Sequence, residues 1–189
     1  MARRHLRSVL WRRQDGASLD YCSLFQTEEG FDLEGTVLTT FEVKPHQVHY
    51  SVSCDSRWRT LRVKAEVEGA GEARKLELKV DIDQRWWRGN ETVTEVQGCT
   101  DVDLGVTPTT NTLPIRRLQL AEGQRVDLAA AWVRFPELTV EPLEQSYTRL
   151  SEKTYLYESR GGRYSSELEV DRFGLVKTYA GGWTRIAFT

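Results

Sequence analysis

The sequence has no long apolar run, only three histidines and no excess of one charge sign, and each shortage closes off a class of function. No stretch approaches the roughly 20 apolar residues that a membrane-crossing helix needs, so a spanning chain is not expected. The 26 basic and 28 acidic residues are interleaved and leave a formal net charge of −2. Without a Lys/Arg face the chain lacks the electrostatic footprint of a nucleic-acid binder. The opening Met1–Arg7 is basic, but Ser8-Val9-Leu10-Trp11 runs straight into Arg12 and Arg13. The apolar centre of a secretory signal is therefore missing, and a cytoplasmic location is expected.

Reactive groups are equally sparse. Three widely spaced cysteines, Cys22, Cys54 and Cys99, suit neither a disulfide framework nor a zinc site. One disulfide remains open, though reduced and partly buried thiols are the simpler reading. His46 and His49 lie three apart in a segment that alternates as a strand, so they face opposite sides and form no metal pair. The sequence contains no Gly-x-Ser-x-Gly elbow, phosphate loop or dinucleotide fingerprint. No catalytic residue, metal or cofactor is implied.

What the sequence does have is period two. Leu61-Arg-Val-Lys-Ala-Glu-Val-Glu68 and Leu76-Glu-Leu-Lys-Val-Asp-Ile-Asp83 alternate apolar and charged residues around a Gly69-Ala70-Gly71-Glu72 turn. This reads as a β-hairpin with one dry and one wet face. Weaker alternation marks Val37–Val43, with Pro45 and His46 as the link to Val48–Cys54. Further strands are expected over Val126–Trp132 (ended by Pro136), Leu138–Val140, Tyr155–Tyr157, Tyr164–Val170, Leu175–Tyr179 and Trp183–Phe188, with a turn at Asp171–Gly174. A short helix fits only near Leu113–Leu120 or Leu143–Leu150. The expected fold is mostly β: one domain over residues 1–189, an antiparallel rolled sheet or open barrel with at most short helices. Rolling hides the sheet edges and creates an interior in which a ligand could sit.

One segment breaks the alternation. Gly98–Leu118 is irregular, rich in short hydroxyl and amide side chains, and carries two prolines and two adjacent arginines. About twenty irregular residues inside a compact domain are often functional. The run Gly98-Cys-Thr-Asp-Val-Asp-Leu104, Thr107-Pro108 and Thr110-Asn-Thr-Leu-Pro-Ile-Arg-Arg-Leu118 resembles the signature of a bacterial glycolipid-binding family, formerly a domain of unknown function. Trp11, Tyr50…Asp55…Trp58, Gln145-Ser-Tyr147 and Asp171…Gly174-Leu-Val176…Tyr179 extend the resemblance over nearly the whole chain. Asp83-Gln-Arg-Trp86, where a glycine would precede the tryptophan, departs from it. The resemblance implies a rolled sheet similar to periplasmic lipoprotein carriers, and a lipid or glycolipid small molecule as partner. Those carriers are exported, which the missing signal does not match.

The candidate ligand-binding residues are Asp101, Asp103, Thr107, Asn111, Thr112, Arg116 and Arg117 of this segment, with Trp58, Trp86 and Tyr147. Each has a plainer alternative. Asp101 and Asp103 point the same way if extended and could share a proton or flank a glycosidic bond; they could equally pair with the arginines. Arg116 and Arg117, if extended, face opposite sides, so that one could hold a head-group anion inside. Indoles and phenols stack on sugars but more commonly fill cores. The reading is a non-enzymatic binder holding an amphipathic ligand in or against the sheet. The alternatives are a glycan or ester hydrolase acting through Asp101 and Asp103, and a protein-interaction scaffold.

Overall fold

Alternation builds the molecule almost without help from helices. The computed structural model describes residues 3–69 and 71–189. Its first half contains β1 (Arg4–Arg13), β2 (Leu19–Gln26), β3 (Gly30–Phe41), β4 (Lys44–Asp55), β5 (Thr60–Gly69), β6 (Glu72–Val80), β7 (Trp86–Arg88) and β8 (Glu91–Thr92). After a 3-10 turn at Thr94–Val96 come β9 (Asp101–Leu104), a second such turn at Thr109–Asn111 and α1 (Thr112–Leu118). The rest is β10 (Arg125–Arg134), β11 (Thr139–Arg149), β12 (Thr154–Ser159), β13 (Tyr164–Val170), β14 (Val176–Tyr179) and β15 (Trp183–Phe188).

These strands form one sheet in the order β8-β7-β6-β5-β4-β3-β2-β1-β15-β14-β13-β12-β11-β10-β9. Two meanders thus meet where β1 pairs with β15, and pairing is antiparallel except between β9 and β10. That parallel pair needs a crossover, which α1 supplies. The two edge strands, β8 and β9, are neighbours in the chain, so the sheet must curl to bring its edges together. Polar bonds then tie the seam: Thr60 N–H donates to Thr100 O at 3.1 Å, Val102 N–H to Thr60 Oγ1 at 3.2 Å, and Gly98 N–H to Gln84 O at 3.0 Å. The rolled, open antiparallel sheet expected from the sequence is what the chain adopts.

The inside of the roll is filled. The expected rows Val63, Ala65, Val67 and Val48, Tyr50, Val52, Cys54 all face inward into one continuous apolar cluster. Trp11 and Trp86 sit within it at 0% exposure, their indole N–H groups donating to Val176 O at 2.7 Å and Cys99 O at 2.8 Å. The three cysteines are free and buried. Tyr50 crosses the interior because its cross-strand partner is Gly35, where an added Cβ would lie 2.3 Å from the ring.

A five-residue turn recurs at three strand ends. In Asp55–Arg59, Asp81–Arg85 and Asp171–Leu175 the aspartate Oδ1 accepts main-chain N–H groups two and four residues on. The fourth residue of each, Trp58, Gln84 or Gly174, takes a left-handed φ of 66°, 60° or 82°. Gln84 lies within Asp83–Trp86, the stretch where the resemblance led one to expect a glycine before the tryptophan.

The structure corrects several local expectations. Ile82 is no strand residue but an exposed member of the second of these turns. The β3–β4 link is Glu42-Val43, both at positive φ, and Pro45 and His46 lie inside β4. Of the two helix candidates only the first forms, since Leu143–Arg149 belongs to β11. In the hairpin turn after β5, Ala70 lies outside the described residues. The patterning does not single out β1 and β2. On β1 only Val9 and Trp11 are buried apolar residues between arginines at positions 7 and 13, too short a run to read as alternation.

Candidate functional site

The irregular segment descends from β9 into α1 and turns its polar side chains to different tasks. Asp101 is 1% exposed and is gripped by Arg117, with Nε to Oδ1 at 3.1 Å and Nη2 to Oδ2 at 2.5 Å. Burial raises the Asp101 carboxyl above its ordinary range, and Arg117 offsets part of that. Because Arg116 and Arg117 lie on a helix and not in extended chain, neighbouring positions diverge by about 100°. Arg116 instead sets its guanidinium over Trp58, 5.5 Å from the ring centre, and donates to Arg172 O at 3.4 Å. Trp58 also stacks on Phe31 at 4.1 Å. Thr112 donates to Gly174 O at 3.2 Å, and Trp86 is core.

Asp103, two residues from Asp101, has a different setting. Its partner is the neutral amide of Gln145, and burial pushes its carboxyl up to about 6. Asn111 accepts the Tyr147 hydroxyl at 2.8 Å and donates to Pro108 O at 3.1 Å, bracing the turn that leads into α1. Thr107 donates to Asp20, a residue at 0% exposure that also accepts the Tyr50 hydroxyl at 3.1 Å. Tyr50 in turn bonds Thr109 Oγ1 at 2.7 Å. Among the described residues Asp20 has no cationic partner within salt-bridge distance, and burial lifts its carboxyl to about 7 against the pull of Thr107 and Tyr50.

Asp103, Thr107 and Asn111 share one wall of a cleft of about 410 Å³ at an end of the roll. The rest of the lining is largely aromatic: Tyr157, Tyr164 and Tyr179 from three successive strands, Trp183 from β15, and Trp132, the register partner of Asp103, from β10. Tyr164 and Tyr179 stack at 6.2 Å with 21° between planes, and Tyr157 packs on Tyr147 at 5.2 Å. Two glycines make room for these rings. A Cβ on Gly182 would lie 2.3 Å from Tyr179, and one on Gly105 would lie 2.7 Å from the Trp132 indole nitrogen. Arg134 and Arg160 lie 5.3 and 5.1 Å from the Trp132 ring centre, and Arg13 stands at the rim. The cleft thus offers ring faces, an acceptor of tunable charge, and amide and hydroxyl groups, the set that recognises a sugar.

Of the ten candidates, then, Asp103, Thr107 and Asn111 line the cleft. Tyr147 stands directly behind Asn111, while Asp101, Thr112, Arg116, Arg117, Trp58 and Trp86 hold the surrounding structure. Sequence reasoning missed Asp20, which sits in Leu19-Asp-Tyr-Cys22 with no motif around it, and the convergence of the C-terminal tyrosines, which strand order alone creates. A larger groove of about 950 Å³ lies on the outer face of β2–β7 between Tyr21, Phe25 and His49. Its charges are largely spent on one another, as in Lys75–Glu66 at 2.6 Å and Lys64–Glu77 at 3.8 Å. Among the described residues no group of three or more His, Cys, Asp or Glu is placed to hold a metal, and no helix is long and apolar enough to cross a membrane.

Comparison with known proteins adds an independent line. A family model described as "Putative glycolipid-binding" matches residues 8–185. A solved structure of a DUF1089 family protein from Pseudomonas aeruginosa is 34% identical, with a TM-score of 0.82 over 90% of this chain and 92% of that one. No curated protein matches significantly.

Proposed function

Since the chain belongs to the glycolipid-binding family, we propose that it holds the sugar head group of a glycolipid, without chemical change, in the aromatic cleft beside Asp103. The observation that carries this is the pairing of tyrosine and tryptophan faces with a carboxylate that, among the described residues, is bonded by the neutral Gln145 amide and by no cation. Sugar C–H faces stack on such rings while their hydroxyls bond Asp103, Asn111 and Thr107. The core cluster occupies the centre of the roll, so the ligand lies against the sheet and its acyl chains remain outside, in a micelle or bilayer. A hydrolase working through Asp101 and Asp103 finds less support, because Arg117 already engages both oxygens of Asp101.

The test is native mass spectrometry of the gently purified chain with bacterial glycolipids. A one-to-one adduct is expected, with a Trp132→Ala variant losing most of it and a lipid with neither sugar nor phosphate, such as a diacylglycerol, giving none. Absence of any adduct, or an adduct indifferent to Trp132, contradicts the reading.

A further inference from the structure

The core-facing row of β1 carries an arginine at each end, and the end away from the cleft has its own chemistry. There Arg7 and Arg185 converge on Asp171 Oδ2, at 3.8 and 2.7 Å, with side chains only 12% and 8% exposed. The same carboxylate's Oδ1 is occupied by the N–H groups of Phe173 and Leu175. Arg172 lies 4.8 Å from the Phe173 ring centre and Arg7 lies 5.1 Å from it. Phe188 is 63% exposed, with Arg7 at 5.1 Å and Arg185 at 4.7 Å. Arg116 joins from α1 through the Arg172 carbonyl and the close approach of its side chain to Gly174.

Four guanidinium groups therefore surround one turn that supplies one carboxylate. The nearby Glu169 is taken by Lys177 and Thr178, and the main-chain oxygen of Thr189 accepts one Arg7 N–H at 2.6 Å. Acceptors still run short: among the described residues the Nε groups of Arg7 and Arg116 are both buried without a hydrogen-bond partner, the 3.8 Å from Arg7 Nε to Asp171 Oδ2 being too long for one. Buried donors are nearly always satisfied, and an ion is one of the standard explanations when they are not. Arginine forks match the oxygens of a phosphate, and the two phenylalanine rings give that anion an apolar border.

We propose that this end of the roll is a binding site for a phosphate oxyanion, formed by Arg7, Arg172 and Arg185 with Arg116 behind them, separate from the sugar cleft. The phosphate could be free or part of a phospholipid head group, and two arms tell these apart. In the first, inorganic phosphate is titrated by calorimetry into the full chain at constant ionic strength set with chloride. Saturable binding is expected, weakened roughly tenfold in Arg172→Gln. Arg172 lies on an exposed turn, so this variant should fold as the parent does, and Arg12→Gln on the same strand as Arg7 serves as a control that should bind normally. In the second arm, vesicles of phosphatidylcholine with and without phosphatidylglycerol are sedimented with the protein. Binding to the anionic vesicles, displaced by inorganic phosphate, identifies a lipid source, whereas phosphate binding with no vesicle binding identifies a soluble one. Failure of both arms, or binding equal in Arg172→Gln and the parent, overturns the site and leaves the sugar cleft untouched.

Discussion

The two ends of strand β9 carry the same residue in the same orientation and use it differently. At the Asp101 end, α1 brings an arginine that closes on both carboxylate oxygens. At the Asp103 end, β11 brings only the Gln145 amide, and the carboxylate borders an open cleft. An ion pair this deep serves mainly to avoid an unpaired charge, since desolvation offsets much of the attraction. A carboxylate left with a neutral partner retains capacity for a ligand. Composition and spacing therefore cannot distinguish a structural from a ligand-facing aspartate; the neighbouring elements do.

The largest effect should come from breaking the closed end. Arg117→Gln leaves Asp101 buried and unpaired and is expected to cost about 3–5 kcal/mol in urea unfolding. A loss below about 1 kcal/mol would mean Asp101 is not the structural partner.

Next comes the buried acid behind the cleft. The Asp20 carboxyl is raised to about 7 in the folded chain, above its unfolded value of about 3.9. Its contribution to stability is thus fully present below pH ~4 and is lost as pH rises through about 7. That amounts to on the order of 2–4 kcal/mol between pH 4 and 8. An Asp20→Asn variant should flatten this part of the stability–pH profile, and an unchanged slope would contradict it.

The open end should respond in function without losing stability. Asp103→Asn removes a carboxyl that burial raises to about 6, so near pH 7 it is expected to raise stability by on the order of 1–3 kcal/mol while lowering glycolipid affinity roughly tenfold, equal to about 1.4 kcal/mol. Equilibrium unfolding and calorimetric titration of the same sample measure both.

The smallest effect lies far from either end. Glu42-Val43 forms a two-residue hairpin turn with φ of 49° and 58°, and a β-branched residue is strained there. Replacing Glu42→Asn together with Val43→Gly should raise stability by about 0.5–1 kcal/mol in thermal unfolding, without touching binding.

Most strands from β4 onward were legible because one face is dry and one wet, so side-chain period two reports burial directly. The central segment announced itself by breaking that period, and three of its residues do line the cleft. The rest of the site was hidden for physical reasons. The bonds that hold Asp20 join it to Tyr50, 30 residues on, and Thr107, 87 residues on. Tyr157, Tyr164 and Tyr179 meet only because β12, β13 and β14 are sheet neighbours. The direction of Arg117 depends on α1, two turns long with a proline inside, whose apolar pattern made it only one of two alternative short helices. The recurring Asp turn at positions 55, 81 and 171 was in principle visible, but its fourth residue varies among Trp, Gln and Gly, which masks the shared left-handed geometry.

The claim at the centre is that sugar recognition occurs in the aromatic cleft and nowhere inside the roll. Two-dimensional NMR of the ¹⁵N-labelled chain resolves the indole N–H signals of all six tryptophans during titration with a soluble glycolipid. Progressive shifts are expected for Trp132 and Trp183 and none for the core residues Trp11 and Trp86. Shifts at Trp11 and Trp86 with Trp132 and Trp183 unmoved would place the ligand inside the sheet and contradict that claim.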